Sequence, residues 1–185
     1  FPEDPRERLR AWDASDEYLL RELDAVSGRV VVFGDRWGAL TTSLLSAGVQ
    51  VTQISDSHLA QQATLLNVAK NGIEQPDLEL VSTVEDFSRQ SDSMPRHIDT
   101  LLVRVPKSLA LLEDQLRRLR PFAGTETRIV GTGMVSEIHT STLQAFERIL
   151  GPTRTSLAVR KARLIFCEPD PSLPATPGPW PLAYQ

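Results

Sequence analysis

Apolar positions along this chain change period in a regular way. A helical stripe of Trp12, Leu19, Leu20 and Leu23 predicts a first helix from Arg6 to roughly Val26, with Ser15 as an alternative capped start. Val30-Val31-Val32-Phe33 is a short unbroken apolar run, the mark of a strand buried on both faces, and Gly34 ends it. Helix and strand then alternate. Helices are predicted over residues 39–47, 59–70, 109–120 and 141–150, and strands over 49–54, 78–81, 101–105 and 127–131. Asn71-Gly72, Pro121 and Gly151-Pro152 supply the stops. Strands separated by helices of this length predict a parallel sheet covered on both faces. The rhythm breaks near the end. Residues 155–159 and 162–167 are strand-like with only Arg160-Lys161 between them, so an antiparallel hairpin is expected to close the sheet. The result is an α/β fold of seven strands, with residues 30–33 central.

The 185 residues suit one domain that buries a core without disulfides. Cys167 is the only cysteine, so an intracellular, cytoplasmic protein is expected. No apolar run approaches the roughly 20 residues that span a bilayer, and no signal-type segment opens the chain, so no membrane partner is expected. A monomer is the expected state. Charge changes the picture more than size does. The net charge of -4 hides an asymmetry. Residues 1–99 hold 9 Lys and Arg against 17 Asp and Glu, a balance of -8, whereas residues 100–167 hold 11 against 5, a balance of +6. A chain split this way can present a basic face to an anionic partner, although charges scattered over a solvated surface fit the same counts. From Pro169 to Pro181 six prolines and one glycine exclude helix and central strand. The expected organisation is a domain over 1–167 and a semi-rigid linker over 168–185, which suggests that these residues are half of something larger.

Candidate chemistry sits where strands end. Phe33-Gly34-Asp35-Arg36-Trp37-Gly38 is a strand-to-helix turn in which a backbone can approach a nucleotide cofactor, or in which the chain simply needs two glycines to turn. Asp56, after the second strand, is placed either to hold ribose hydroxyls or to cap the next helix. Gly131-Thr132-Gly133 matches part of a dinucleotide fingerprint, but on a late strand and without the third glycine. His58, His97 and His139 show no ligand spacing, so no metal is expected. Arg104 and Lys107 close a strand at the edge where open α/β sheets place their sites, and Arg160, Lys161 and Arg163 cluster at the hairpin. Both groups are candidates for phosphate contacts, with a solvated face as the plain alternative.

The stretch Asp99-Thr100-Leu101-Leu102-Val103-Arg104-Val105-Pro106-Lys107 resembles the catalytic strand of N-methyltransferases that modify exocyclic amines of bases. In that family an Asp-led apolar strand runs into Asn-Pro-Pro and an aromatic residue. Arg104, Val105 and Lys107 depart from the motif, and a guanidinium cannot accept the hydrogen bonds that an Asn carbonyl accepts. In the first turn, Val32 stands where such enzymes carry an acid for the cofactor's ammonium, and Arg36 where they carry a middle glycine.

Residues 12–20, 33–40, 105–113, 139–143, 150–153 and 161–165 together resemble the N-terminal half of the ribosomal RNA large subunit methyltransferase G family, which is related to small subunit methyltransferase C. The resemblance covers nearly the whole chain up to about Cys167. It implies a class I methyltransferase-like, Rossmann-like fold present as two tandem copies. The C-terminal copy binds S-adenosylmethionine and methylates N2 of a guanine in ribosomal RNA. The N-terminal copy has lost that chemistry, helps to recognise RNA and supports its partner. Carried over to this chain, the resemblance implies no catalytic residue and a vestigial cofactor turn at Gly34, Gly38 and Asp56. It implies no cofactor held in this half, and it names as partners ribosomal RNA and the C-terminal methyltransferase domain of the same chain. Two readings compete with it: a self-sufficient methyltransferase with an unusual site, and a purely structural partner domain.

Overall fold

The structure, a computed structural model, describes residues 10–24, 26–83 and 97–174. Helix α1 (Ala14–Glu22) is followed by β1 (Arg29–Phe33), α2 (Ala39–Ser46), β2 (Gln50–Ser55), α3 (His58–Lys70) and β3 (Leu78–Ser82). Next come β4 (Thr100–Arg104), α4 (Leu109–Leu119), β5 (Arg128–Met134), α5 (Thr140–Ile149), β6 (Thr153–Thr155) and β7 (Ala162–Cys167). The strands form one sheet in the order β3-β2-β1-β4-β5-β7-β6. The first five are mutually parallel, and β7 runs antiparallel to both β5 and β6. The expected seven strands and closing hairpin are present, with β1 inside the sheet beside the middle strand β4.

Alternate residues of a strand point to opposite faces, and β1 shows what that does here. Val30 and Val32 join Leu19, Leu40 and Leu44 beneath α1 and α2. Val31 and Phe33 join Leu112, Leu116 and Phe146 beneath α4 and α5. Helices therefore cover both faces, and the unbroken apolar run is explained by burial on each side. At the amino end of the sheet, the Asp99 carboxylate accepts from Arg29 N at 2.7 Å. Gly28 is obligatory beside it, with φ +80° and an added Cβ only 2.7 Å from Asp99 Cγ. Asp99 thus fastens β1 to β4 at the end away from the carboxyl edge.

Two expectations need correction. The first helix is shorter than its apolar stripe. Its expected start at Arg6 lies outside the described residues, residues 10–12 are not helical, and the cap is Asp13 rather than Ser15. Asp13 accepts from Ser15 N, and Asp16 reaches back to Asp13 N at 2.9 Å. This reciprocal box satisfies amides that an earlier start would leave to solvent. The edge strand is displaced as well, covering 153–155 instead of 155–159. Ser156 takes the ladder bond of Leu164 N on its own Oγ, and Leu157 and Ala158 then leave the sheet as exposed residues. Beyond Cys167 the chain stays on the domain for several residues. Asp170 N donates to Leu150 O at 2.7 Å, and the Arg120 guanidinium donates to the carbonyls of Leu173 and Pro174. Residues 168–174 form a strap docked past the ends of α4 and α5. The expected linker beyond Pro174 lies outside the described residues.

Candidate functional site

The carboxyl edge of the parallel strands holds an open cleft of about 410 Å3 lined by Gly34, Arg36, Asp56, Lys107 and Gln115, among others. Gly34 (φ +76°) and Gly38 (φ +79°) both occupy left-handed backbone, so the turn requires glycine at each whatever else it does. Gly38 is also a packing site, because a Cβ there would come within 2.6 Å of Thr64 Cα on α3. Asp35 lies buried between the two and accepts from Gly38 N (3.1 Å) and Thr41 N (2.9 Å), which pins the start of α2. Burial pushes its carboxyl above the ordinary range, against the pull of those amides. Asp56 is exposed in the cleft and does not cap α3; Ser57 does, accepting from Ala60 N at 3.2 Å.

Arg104 is not a surface cation. It is the last residue of β4, only 2% exposed, and points toward α1 on the same face as Leu102. Its guanidinium donates to the Asp13 carboxylate and the Ser15 hydroxyl, and its Nε lies 3.3 Å from Asp16 and its Nη1 3.8 Å from Glu137. Arg36 reaches the same cluster from the first turn, at 2.6 Å from Glu137 and 3.7 Å from Asp13. Thr132, paired with Arg104 across β4 and β5, donates to Ser15 O at 2.7 Å. The position that resembles a catalytic Asn therefore carries a buried ion cluster that ties α1 to the ends of β4 and β5. Arg104 is not available as a phosphate contact, because its five donors are turned inward and desolvated.

The cluster divides its carboxylates. Burial raises the Asp16 carboxyl from 3.8 to about 6, despite the nearby Arg104. For Asp13 burial acts in the same sense, but Ser15 and Arg104 outweigh it and the carboxyl lies below its ordinary value. Glu137 is lowered too, with Arg36 and the Met134 amide overcoming burial. The folded protein thus holds a proton on Asp16 more tightly than the unfolded chain does. Stability falls as pH climbs from about 4 through 6, by up to ~3 kcal/mol from this group alone. Asp13 and Glu137 act oppositely, and their contribution is lost as pH drops through their folded values. Asp16→Asn keeps an acceptor for Asp13 N, so urea midpoints measured from pH 4 to 7 should lose their downward slope. A variant profile parallel to the parent's would remove Asp16 from this role.

The remaining cation candidates gather on one edge. Val135 N bonds Lys161 O at 2.8 Å, which sets the Arg160-Lys161 turn at the carboxyl end of β5, the edge that also carries Lys107. Lys107, Arg160 and Lys161 are exposed; Arg160 makes a solvent-facing pair with Glu17 at 3.2 Å. Arg163 is half-buried with its Nε unpartnered. Arg160 (φ 49°) and Lys161 (φ 64°) are both left-handed, a conformation that costs a side-chain-bearing residue about 1–2 kcal/mol. Gly131 and Gly133 lie inside β5, where a Cβ would press on Ile165 and Phe146 at 3.1 Å or on Ile138 at 3.3 Å. They serve packing of the strand against its neighbours, and the partial dinucleotide fingerprint forms no turn there. Sequence reasoning missed Asp13, Asp16 and Glu137 as partners. The signal was available: an arginine closing an apolar strand must find carboxylates.

A model of the RLMG N-terminal domain family matches residues 1–171. The chain belongs to that family. Ribosomal RNA large subunit methyltransferase G of Streptomyces avermitilis is 61% identical over 189 residues, covering 100% of this chain and 47% of that protein. The Erwinia tasmaniensis protein of the same name is 48% identical over 94% of this chain and 45% of its own length. The chain thus spans about half the length of the curated relatives it matches. Among solved structures, the T. thermophilus 16S rRNA N2 G1207 methyltransferase, in complex with AdoMet and guanosine, superposes with a TM-score of 0.63 at 13% identity. The match covers 90% of this chain and 41% of that one. A TehB-like SAM-dependent methyltransferase from Corynebacterium glutamicum gives 0.61 at 11% identity over 83% of this chain and 87% of that chain. These RLMG-family residues therefore adopt the class I methyltransferase fold. No helix among the described residues is long and apolar enough to cross a membrane.

Proposed function

We propose that this chain is the non-catalytic, RNA-engaging half of an S-adenosylmethionine-dependent ribosomal RNA guanine-N2 methyltransferase that works in the cytoplasm. The observation that carries the reading is Arg104. Where the family's reacting strand would present an Asn to a base amine, a guanidinium is buried among Asp13, Ser15, Asp16 and Glu137. Of the carboxylates described around this edge, Asp13, Asp16, Asp35 and Glu137 are engaged by a guanidinium or a backbone amide. Asp56 alone among them faces the cleft without such a partner, and it follows β2 rather than the strand that would present the base.

The cofactor fares no better at its methionine end. Val32 is wholly buried and offers no acceptor to an ammonium, while Arg36 and Lys107 line a cleft that would have to take a cationic sulfonium. Asp56 suits a ribose, but the rest does not fit, and no transfer step is assigned to these residues. Titration calorimetry of the chain with S-adenosylmethionine should show no saturable heat. Micromolar binding would favour a self-sufficient enzyme instead.

RNA engagement is carried by exposed cations on the same edge. Lys107, Arg160 and Lys161 are long and solvated, suited to phosphate contacts that give affinity and register rather than sequence. Filter binding to ribosomal RNA fragments should weaken steeply with salt. Arg160→Ala with Lys161→Ala should flatten the log–log slope by about 0.7 for each single-strand phosphate that is no longer neutralised. Equal slopes would clear the hairpin, and no binding at low salt would favour a structural partner domain.

A further inference from the structure

Helix α3 is packed with its small residues in and its leucines out. Ala60, Ala63 and Thr64 are buried against the sheet and the Gly38 turn, with Val68 the only larger side chain among its buried residues. The closeness of Gly38 to Thr64 leaves no room there for anything bigger. Leu59 and Leu66, by contrast, are 74% and 52% exposed, and Leu65 is exposed beside them. No charged residue lies between His58 and Lys70. Helix α4 differs: its outer side carries charge pairs, Glu113 with Arg117 and Asp114 with Arg118. An outer helix face with three exposed leucines and no charge between its ends is an apolar surface of the kind that partners cover.

The patch extends beyond α3. Trp37, 43% exposed, is tied to the helix by Asn67 Nδ2, which donates to its carbonyl at 2.7 Å. A groove of about 310 Å3 runs from Asn67 past α2 to the exposed Trp12. Three exposed leucines and an exposed tryptophan, with Lys70 at the helix end and Arg10 over Trp12 as the nearby cations, suit a protein surface better than a nucleic acid.

What covers it follows from length. The RLMG relative from Streptomyces avermitilis contains all of this chain in 47% of its own sequence, so slightly more than half of that protein lies outside the match. We propose that Leu59, Leu65, Leu66 and Trp37 form the docking face for that remaining half, which meets them with an uncharged apolar surface. The inference rests on the reading that this chain works as one half of a methyltransferase. An interface between domains of one chain ordinarily buries about 600–1,500 Å2, within reach of one helix face and its flanking groove.

The test is hydroxyl-radical footprinting read by mass spectrometry on native side chains. It compares this chain alone with the same chain joined to the remaining half of the Streptomyces avermitilis relative. Oxidation at Trp37, Leu59 and Leu66 should fall several-fold in the joined protein, while Leu157, exposed on the hairpin, stays unchanged. Leu59→Glu with Leu66→Glu should leave the melting of the chain alone intact. In the joined protein the same pair should split one thermal transition into two. Equal oxidation in both proteins overturns the proposal. Protection that appears in the chain alone and grows with concentration also overturns it, in favour of a second copy. RNA binding by the chain alone, measured separately, tells whether a negative result touches only the docking face or the half-enzyme reading as well.

Discussion

Arg104→Ala should lower the unfolding free energy by about 3–5 kcal/mol, the range expected when one partner of a buried ion pair is removed and the others remain. The cavity is the smaller part of that loss. Asp13, Asp16 and Glu137 would be left sharing a site whose main cation has gone, with Arg36 reaching it only from the exposed side. The deficit should be larger at pH 8 than at pH 5. Asp16, already raised to about 6 by burial, takes up a proton at the lower pH and relieves the repulsion. Arg104→Lys should recover only part of the loss, because one ammonium cannot span Asp13, Ser15 and Asp16 as a planar fork does. Urea denaturation at the two pH values measures all three quantities. A loss under about 1 kcal/mol at both would mean that the cluster does not hold α1 to the sheet.

The hairpin should answer in the opposite direction. Arg160 and Lys161 occupy two successive left-handed positions between Val159 and Ala162, which bridge each other, and a two-residue turn of this kind suits Asn-Gly. Arg160→Asn with Lys161→Gly should therefore stabilise the domain by about 1–2 kcal/mol. RNA affinity at moderate salt should fall at the same time, since both cations leave the carboxyl edge. Alanine at these sites keeps most of the backbone strain, so the alanine pair used for the salt series should not show the gain. Thermal melts and filter binding on one preparation check both arms. Higher stability with unchanged RNA affinity would mean that the strain serves something other than phosphate contact.

The sheet is legible in the sequence because its signals are local. Val30 to Phe33 is an unbroken apolar run, and Asn71-Gly72 and Gly151-Pro152 stop their helices within a residue or two of where they end. The absence of room for a helix around Arg160 points to the antiparallel arm. Where expectation and structure part, a side chain has displaced a backbone partner: Asp13 at α1, Ser156 at the edge strand, Ser57 rather than Asp56 at α3. The candidate site is harder to foresee. Lys107 and the hairpin cations do share an edge, but Arg104 has only its charge in common with them. Its burial depends on Asp13 and Asp16 from the first helix and Glu137 from the loop after β5, segments roughly 90 and 33 residues away, and no periodicity connects them. The outward leucines of α3 look like ordinary helix stripe, because a period tells that a face is apolar and not that it is covered.

The Arg104 cluster also constrains how this sequence can change with time. Four side chains from two separate segments depend on one guanidinium, so a substitution at Arg104 and a substitution at Asp16 or Glu137 do not add. A single step from arginine toward asparagine strands carboxylates that were tolerable only beside it. A single step at a carboxylate leaves a buried cation short of a partner. Routes out of the present arrangement pass through less stable intermediates whichever residue moves first. Drift at the end of β4 is therefore one-way: the segment becomes harder to reverse with each carboxylate recruited to it, and RLMG-family chains that share Arg104 should also share Asp13, Asp16 and Glu137.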